Sequence, residues 1–172
     1  MAYYYLISSL PSLSPDGGMP FSYREFLTMC QSNVSEETYR MLEDLTLSSD
    51  KGPLLEEWGA FYSALSKELG AQRSARLGKP YTAVFDKDPE SAAVVSAALN
   101  AKDPLAAEQL LLDHEFSRLD MMVGLHSFDD HVLFGYALKL KLLERISCFE
   151  HEKGKKEFSD ILRDLKDQVT GL

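Results

Sequence analysis

The chain has 172 residues, of which 45% are hydrophobic and 26% are charged, and its formal net charge is −9 at pH 7. This length and composition indicate one folded domain and exclude a disordered chain. Acidic residues outnumber basic ones by 27 to 18, which disfavours a nucleic-acid-binding surface. We find neither a signal-peptide pattern nor an apolar run approaching the roughly 18 residues of a membrane-spanning helix, so we expect a cytoplasmic protein.

The first element is the aromatic segment YYYLISSL over residues 3–10. Its aromatic and branched side chains favour a short extended conformation, which ends at the proline that follows. We expect Tyr3, Tyr4 and Tyr5 to pack on a helical core and hold the N-terminus in place, with a partner-binding strip as the alternative.

Capping residues predict the next three helices. Ser22 and Glu25 form a capping box at the start of the first. Ser35 begins the second, with acidic residues in its first turn. Pro53 suits the first position of the third, which we expect to reach Leu77. Its apolar residues recur every three or four positions: Leu54, Leu55, Trp58, Phe61, Tyr62, Leu65 and Leu69.

Residues 79–103 contain a loop and a helix of small residues. We expect a few extended residues within 81–85, and a helix that begins at Asp88 with a proline in its first turn. Because that helix has no large side chain, we expect it either to lie close against another helix or to be only marginally stable.

The most periodic part of the chain, residues 103–145, predicts two long helices that fold back on each other at HSFDD. Asp103 caps the first of them, and Ser127 with Asp130 caps the second. The second helix is apolar on most sides, which is typical of a helix inside a bundle. The apolar seam of the first, with the residues that widen it, comprises Leu105, Leu111, Leu112, Phe116, Leu119, Met122, Val123, Leu125 and His126.

These elements predict an all-α fold, namely a bundle of long antiparallel helices with a short extended N-terminal segment. We expect one helical domain over residues 1–172. Its predicted parts are an extended segment and loop (1–21), a helical half (22–78), a linker with a small helix (79–102) and a long helical hairpin (103–170).

The cluster HSFDDH places His126, Asp129, Asp130 and His131 within six residues. Imidazole and carboxylate groups are suitable ligands for zinc, iron or manganese. The favoured interpretation is a capped turn, because acids stabilise a helix N-terminus and His126 continues the apolar seam. Metal binding is the alternative, and the spacing matches no established ligand motif.

Other signs of catalysis are weak. Cys148 and His151 lie three residues apart and could touch on a helix, but nothing supplies an orienting group or an oxyanion site. We expect Cys148 and Cys30 to be reduced, buried thiols. The sequence contains no P-loop, GxGxxG, GxSxG or CxxC motif. We therefore assign no catalytic, cofactor-binding or metal-ligating residue, expect no cofactor and expect a protein that is not an enzyme.

One region is basic, and it is interleaved with glutamates. We expect a solvated face with i, i+4 ion pairs, and a docking surface for an acidic partner helix is the alternative. Its basic residues are Lys139, Lys141, Arg145, Lys153, Lys155 and Lys156.

Three stretches together resemble a known family: YYYLISSLPSL from Tyr3, WGAFYSALSKELGAQRSARLGK from Trp58, and FSRLDMMVGL with LFGYALKLKLLERISCFEHEKGKKEF from Phe116 to Phe158. The family is bacterial and is encoded beside V-type (A-type) ATP synthase genes. The likeness covers nearly the whole chain. The family in turn resembles a reduced form of the C subunit of V-type ATP synthases, also called the d subunit, which is considerably longer.

The resemblance implies an all-helical, non-catalytic coupling part. The C subunit is a socket between the rotating central stalk and the membrane ring, so the implied partners are stalk and ring subunits on the cytoplasmic side of the membrane. No residue-level site carries over. A stand-alone helical interaction or regulatory module is the first alternative, and a metal-binding helical enzyme built on HSFDDH is the second.

Overall fold

The computed structural model describes residues 3–149, 154–155 and 158–163. Throughout these ranges the regular structure is helical and no strand occurs, which confirms the predicted all-α class. The helices are α1 (Tyr4–Ser9), α2 (Tyr23–Cys30), α3 (Glu36–Glu43), α4 (Leu55–Arg76), α5 (Pro89–Leu99), α6 (Pro104–Val123) and α7 (Asp130–Ser147).

The predicted extended N-terminal segment is wrong, since residues 4–9 form the helix α1. Tyr3 and Leu6, three positions apart, are both buried, whereas Tyr4 and Tyr5 between them are exposed. That burial follows a helical period rather than the alternation of a strand. The β-propensity of aromatic residues is a weak preference, and packing of this short segment on the core overrides it.

Most of the predicted helix starts are confirmed. Ser22 forms the full capping box with Glu25, and side chains of Ser35, Asp88 and Asp103 each accept a backbone N–H of their own helix. Because these caps depend on residues no more than three positions apart, they are readable from local sequence.

Two predicted starts are wrong. The helix predicted to begin at Pro53 begins at Leu55, because Leu54 has a left-handed backbone with φ of 65°. In the hairpin, Asp129 rather than Ser127 caps α7, and its carboxylate accepts the N–H of Val132 at 3.3 Å.

The hairpin of α6 and α7 is antiparallel. Lys139 pairs with Asp120, and Arg145, further along α7, pairs with Glu115, which lies earlier in α6. At Gly135 the helices approach so closely that an added Cβ would lie 2.6 Å from Cγ2 of Val123. The absence of a side chain at Gly135 therefore allows α7 to pack closely against α6.

The main core lies between this hairpin and the first half of the chain. Tyr23 fixes α2 to α3 by donating its hydroxyl to the carbonyl of Leu42 at 2.7 Å. The indole N–H of Trp58 donates to the carbonyl of Leu47 at 2.9 Å, so the largest buried side chain is also hydrogen-bonded. The largest fully buried side chains are Trp58, Phe26, Phe134, Leu42, Leu55, Leu112, Leu119, Leu133, Leu138, Leu140, Leu142 and Leu143.

A smaller apolar cluster joins α5 to α4 and α6. It consists of Leu65, Val95, Ala98 and Leu111. The small residues of α5 permit this close packing, and they bring Ser91 of α5 within reach of the polar face of α6.

The predicted seam of α6 holds only in its middle, where Leu112, Phe116 and Leu119 are buried. Leu105 in the first turn is 47% exposed, and Leu125 is fully exposed. His126 is not a core histidine, because α6 ends at Val123 and the chain leaves the helical period before reaching it.

Among the described residues, no helix is both long enough and apolar enough to cross a membrane. Near the C-terminal end, residues 158–163 are helical, and Phe158, Ile161 and Leu162 are exposed. The other residues of the predicted hairpin segment, 150–153, 156–157 and 164–170, lie outside the described residues.

Candidate functional site at the turn between α6 and α7

The turn over residues 124–129 has an unusual backbone. It begins at Gly124 with φ of 53°, and it contains Phe128 with φ of 58°. Glycine adopts positive φ readily, but a bulky residue there is a conformational outlier that costs of order 1–3 kcal/mol. The surrounding structure must therefore hold Phe128 in place.

Tyr3 supplies that support. Its backbone N–H donates to the carbonyl of Phe128 at 2.6 Å, and its hydroxyl donates to Oδ1 of Asp130 at 2.7 Å. Burial raises the pKa of the Tyr3 phenol, and the nearby Asp130 carboxylate raises it further. One buried tyrosine thus binds both sides of the turn to the N-terminus.

The three N-terminal tyrosines have different roles. The expected packing on the core is confirmed for Tyr3, which is buried, and is wrong for Tyr4 and Tyr5, which are 61% and 92% exposed. The ring of Tyr4 lies against that of Phe128, with centroids 5.0 Å apart. Leu125 in the same turn is fully exposed. We call Tyr4, Tyr5, Leu125 and Phe128 the turn surface.

The turn also collects three of the four residues of the HSFDDH cluster. Nδ1 of His126 lies 2.6 Å from Oδ2 of Asp129, and the rings of His126 and His131 stack with centroids 4.0 Å apart. One ligand atom from each of these three residues lies within 4.8 Å of the others. Asp130 instead accepts the hydroxyl of Tyr3.

Electrostatics keep Asp129 ionised. Partial burial would raise the pKa of its carboxyl, but the hydrogen bond from His126 and the backbone N–H of Val132 outweigh that effect and lower it. The carboxylate therefore has two functions, since it caps α7 and also bonds to an exposed imidazole.

A second polar group, which the sequence did not reveal, lies between α5 and α6. Oγ of Ser91 lies 2.9 Å from Nε2 of the buried His114, and it donates to Oδ2 of Asp88 at 2.6 Å. Arg118 donates to the same carboxylate oxygen. The pKa of the Asp88 carboxyl is lowered to about 2. The hydrogen bond from the Ser91 hydroxyl is the largest cause, and the backbone N–H of Ser91 and the Arg118 guanidinium add smaller contributions. In the sequence, the signal that could have indicated this group is the i, i+4 spacing of His114 and Arg118, which places both side chains on one face of a helix.

The direction of the protons makes this group structural. The Ser91 hydroxyl has one hydrogen, which goes to Asp88, so Nε2 of His114 must donate to Ser91. A serine nucleophile needs the opposite arrangement, in which the imidazole accepts the hydroxyl proton. The contact resembles part of a catalytic triad but does not activate Ser91.

A cavity of about 500 Å³ adjoins this group, between α4, the 77–88 loop and α6. Phe61 and Phe85 contribute aromatic walls, and Lys67, Glu68 and Arg118 contribute charged ones. Glu68 is buried and receives a hydrogen bond from Gln72 at 2.7 Å, while its second oxygen has no partner within the described structure.

The predicted solvated basic face is wrong for its helical part. Nζ of Lys139 lies 2.5 Å from Oδ1 of Asp120, and Arg145 pairs with Glu115, so these charges join α7 to α6. Lys141 lies over the ring of Tyr23, with Nζ 3.8 Å from its centroid. Lys155 is exposed, and Lys153 and Lys156 lie outside the described residues.

The cysteines do not form a reactive pair among the described residues. Cys30 is buried as predicted, and burial raises the pKa of its thiol to about 12, so it stays protonated. Cys148 is exposed, contrary to prediction, because α7 ends at Ser147 beside it. Its possible partner His151 lies outside the described residues.

Comparison with protein-family models, with curated proteins and with solved structures found no match to this chain. The resemblance to the V-type ATP synthase family therefore rests on three stretches of the sequence, which begin at Tyr3, Trp58 and Phe116.

Proposed function

We propose that this protein is a non-catalytic structural or accessory subunit of a V-type ATP synthase, similar to the C subunit, and that it acts on the cytoplasmic side of the membrane. The family resemblance supports the choice of complex. The turn surface supports the mode of action, because Tyr3 holds Phe128, Tyr4 lies against the Phe128 ring, and Tyr5 and Leu125 are exposed.

The turn surface has the features of a protein-binding site. Tyrosine and phenylalanine contribute large contact areas and lose little conformational entropy on binding, and they are enriched where binding energy is concentrated. Tyr5 and Leu125 expose nearly their whole side chains to water, so both are available for burial by a partner. The support that Tyr3 gives to Phe128 holds this surface ready before a partner arrives.

Charge favours a basic partner. The chain has a net charge of −9, and the main cations of α7 are engaged with α6 or with Tyr23. Complementary charge steers association and disfavours wrong partners. The proposed coupling role therefore requires a positively charged surface on the stalk or ring subunit that receives the turn.

Purification from the native cells tests this function. Tagged protein is recovered at low salt and its partners are identified by mass spectrometry. We expect stalk or ring subunits of the V-type ATP synthase, and recovery of none of them would contradict the proposal.

A stand-alone helical interaction or regulatory module is the second candidate, because the turn surface favours binding without specifying the complex. Deletion of the gene separates the two. A loss of ATP synthase activity in the deletion strain supports the role in the complex. Unchanged activity, with a monodisperse monomer in the purified sample, supports the stand-alone module.

A further inference from the structure

We infer that His126, Asp129 and His131 bind one divalent transition-metal ion of the zinc class at the turn between α6 and α7. The ligand atoms of these residues lie within 4.8 Å of one another. Two imidazoles and one carboxylate form a donor set that suits zinc, copper or nickel better than magnesium or calcium. The inference does not depend on the proposed role in an ATP synthase.

The strained turn is what brings the ligands together. His126 precedes Phe128, and His131 is in the first turn of α7, so an ordinary extended connection would separate their rings. With φ of 58° at Phe128 the chain folds back, and the two rings stack in nearly parallel planes, 6° apart. Backbone strain of this kind persists where the neighbouring structure supports it, and it is concentrated at functional sites.

The charges around the site favour a cation. Asp129 and Asp130 place two carboxyl groups on adjacent residues at the start of α7. Two carboxylates offset the positive end of the α7 dipole, which alone would repel a metal ion. The hydrogen bond between His126 and Asp129 already pairs an imidazole nitrogen with a carboxylate oxygen at 2.6 Å, and these two atoms must separate by about 0.8 Å to bind one tetrahedral zinc ion.

Binding requires a small rearrangement. Zinc bonds of about 2.1 Å in a tetrahedral site place ligand atoms about 3.4 Å apart, so ligand atoms that now lie up to 4.8 Å apart must approach by up to about 1.4 Å. In stacked rings the nitrogen lone pairs lie in parallel planes and do not converge on one point. The His131 ring must therefore rotate about its Cβ–Cγ bond before both rings can bind the same metal ion. Both rings have access to solvent, so neither has to displace core side chains. The proton between His126 and Asp129 leaves when the metal takes its place.

Titration of the purified full-length protein with zinc chloride, followed by calorimetry at pH 7.5, tests the inference. We expect one zinc ion per chain and no binding of magnesium. Loss of a hydrogen bond that supports a metal ligand typically weakens metal binding about 10- to 100-fold. His126→Ala and His131→Ala each remove a ligand itself, so each should weaken zinc binding by more than that. Asp129→Asn should weaken it as well, and it keeps the helix cap because Asn caps as well as Asp.

The control is His114→Gln, which replaces a histidine that lies against Ser91 between α5 and α6, and it should leave zinc affinity unchanged. Urea unfolding of each variant without metal checks that the fold is intact. The inference is overturned if wild-type protein binds no zinc stoichiometrically, or if the two histidine variants bind it as tightly as wild type.

Discussion

Arg145 of α7 donates two hydrogen bonds to Glu115 of α6, from Nη1 to Oε1 at 2.9 Å and from Nη2 to Oε2 at 2.6 Å. Glu115 is only 1% exposed. Burial raises the pKa of its carboxyl, and the hydrogen bonds from Arg145 oppose that rise. Nε of Arg145 also lies 3.3 Å from Oε2 of Glu108, an ion pair without hydrogen-bond geometry.

The first prediction concerns this pair. Arg145→Met should lower the free energy of unfolding by about 3–5 kcal/mol, because it leaves Glu115 buried without a partner. The double variant Arg145→Met with Glu115→Leu should recover most of that loss, since an apolar pair needs no compensation. Urea unfolding at pH 7 measures both, and equal stability of the single and double variants would refute the assignment.

The second prediction concerns the close approach of α6 and α7. Gly135→Ala should cost about 1–3 kcal/mol of stability, because the new Cβ would lie 2.6 Å from Cγ2 of Val123. Gly154→Ala is the matched control, since Gly154 is helical and has no atom within 4 Å of an added Cβ. That control should be neutral or stabilising by up to about 1 kcal/mol. Equal thermal shifts in the two variants would contradict the packing argument.

The third prediction separates the N-terminal tyrosines. Tyr3→Phe removes the hydrogen bond to Asp130 and should lower the free energy of unfolding by about 1–2 kcal/mol. Tyr5→Phe removes a hydroxyl from an exposed ring and should change it by less than about 0.5 kcal/mol. Chemical denaturation measures both, and a stable Tyr3→Phe variant would show that the phenol does not hold the turn.

The fourth prediction is a pH dependence. Burial lowers the pKa of His114, while the charge of Glu90 opposes the shift. The folded state then binds fewer protons than the unfolded state, whose histidine pKa is about 6.5. The contribution of His114 to stability is complete above that pH and is lost as pH falls through the depressed pKa.

Unfolding by urea at pH 7.5, 6.0 and 5.0 measures this effect. His114→Gln keeps a donor at the position of Nε2 for Ser91 but does not titrate, so its stability should fall less between those pH values than that of wild type. Asp88 does not interfere, because its pKa of about 2 lies below the range. Parallel pH profiles for the two proteins would contradict the assignment.

Local signals in the sequence predicted much of the helical framework. The caps at Ser22, Ser35, Asp88 and Asp103 depend on a side chain and a backbone amide a few residues away. The two long helices and the turn between them were also predicted, because their apolar period extends over many residues.

Long-range contacts determine the features that were predicted wrongly. The N-terminal segment is a helix attached to Phe128 and Asp130, and a bond between residues 127 positions apart leaves no local pattern. The apolar seam predicted a buried His126, but among the described histidines the buried one is His114, which faces a serine from another helix. The sequence grouped the HSFDDH residues, whereas the backbone of the turn, with positive φ at Gly124 and Phe128, brings three of them together.

The most direct test of the central claim compares how much V-type ATP synthase subunit is recovered by wild type and by a turn-surface variant. The variant combines Tyr4→Ser, Tyr5→Ser and Leu125→Ser. All three side chains are exposed, and the one ring contact that is lost, between Tyr4 and Phe128, should lower stability by only about 0.5–1.5 kcal/mol, so the variant should keep its fold. We predict that wild type recovers stalk or ring subunits and that the variant loses at least about nine-tenths of them, as expected when several anchoring side chains are truncated. Equal recovery by both proteins, or recovery of no ATP synthase component by wild type, would contradict the proposed function.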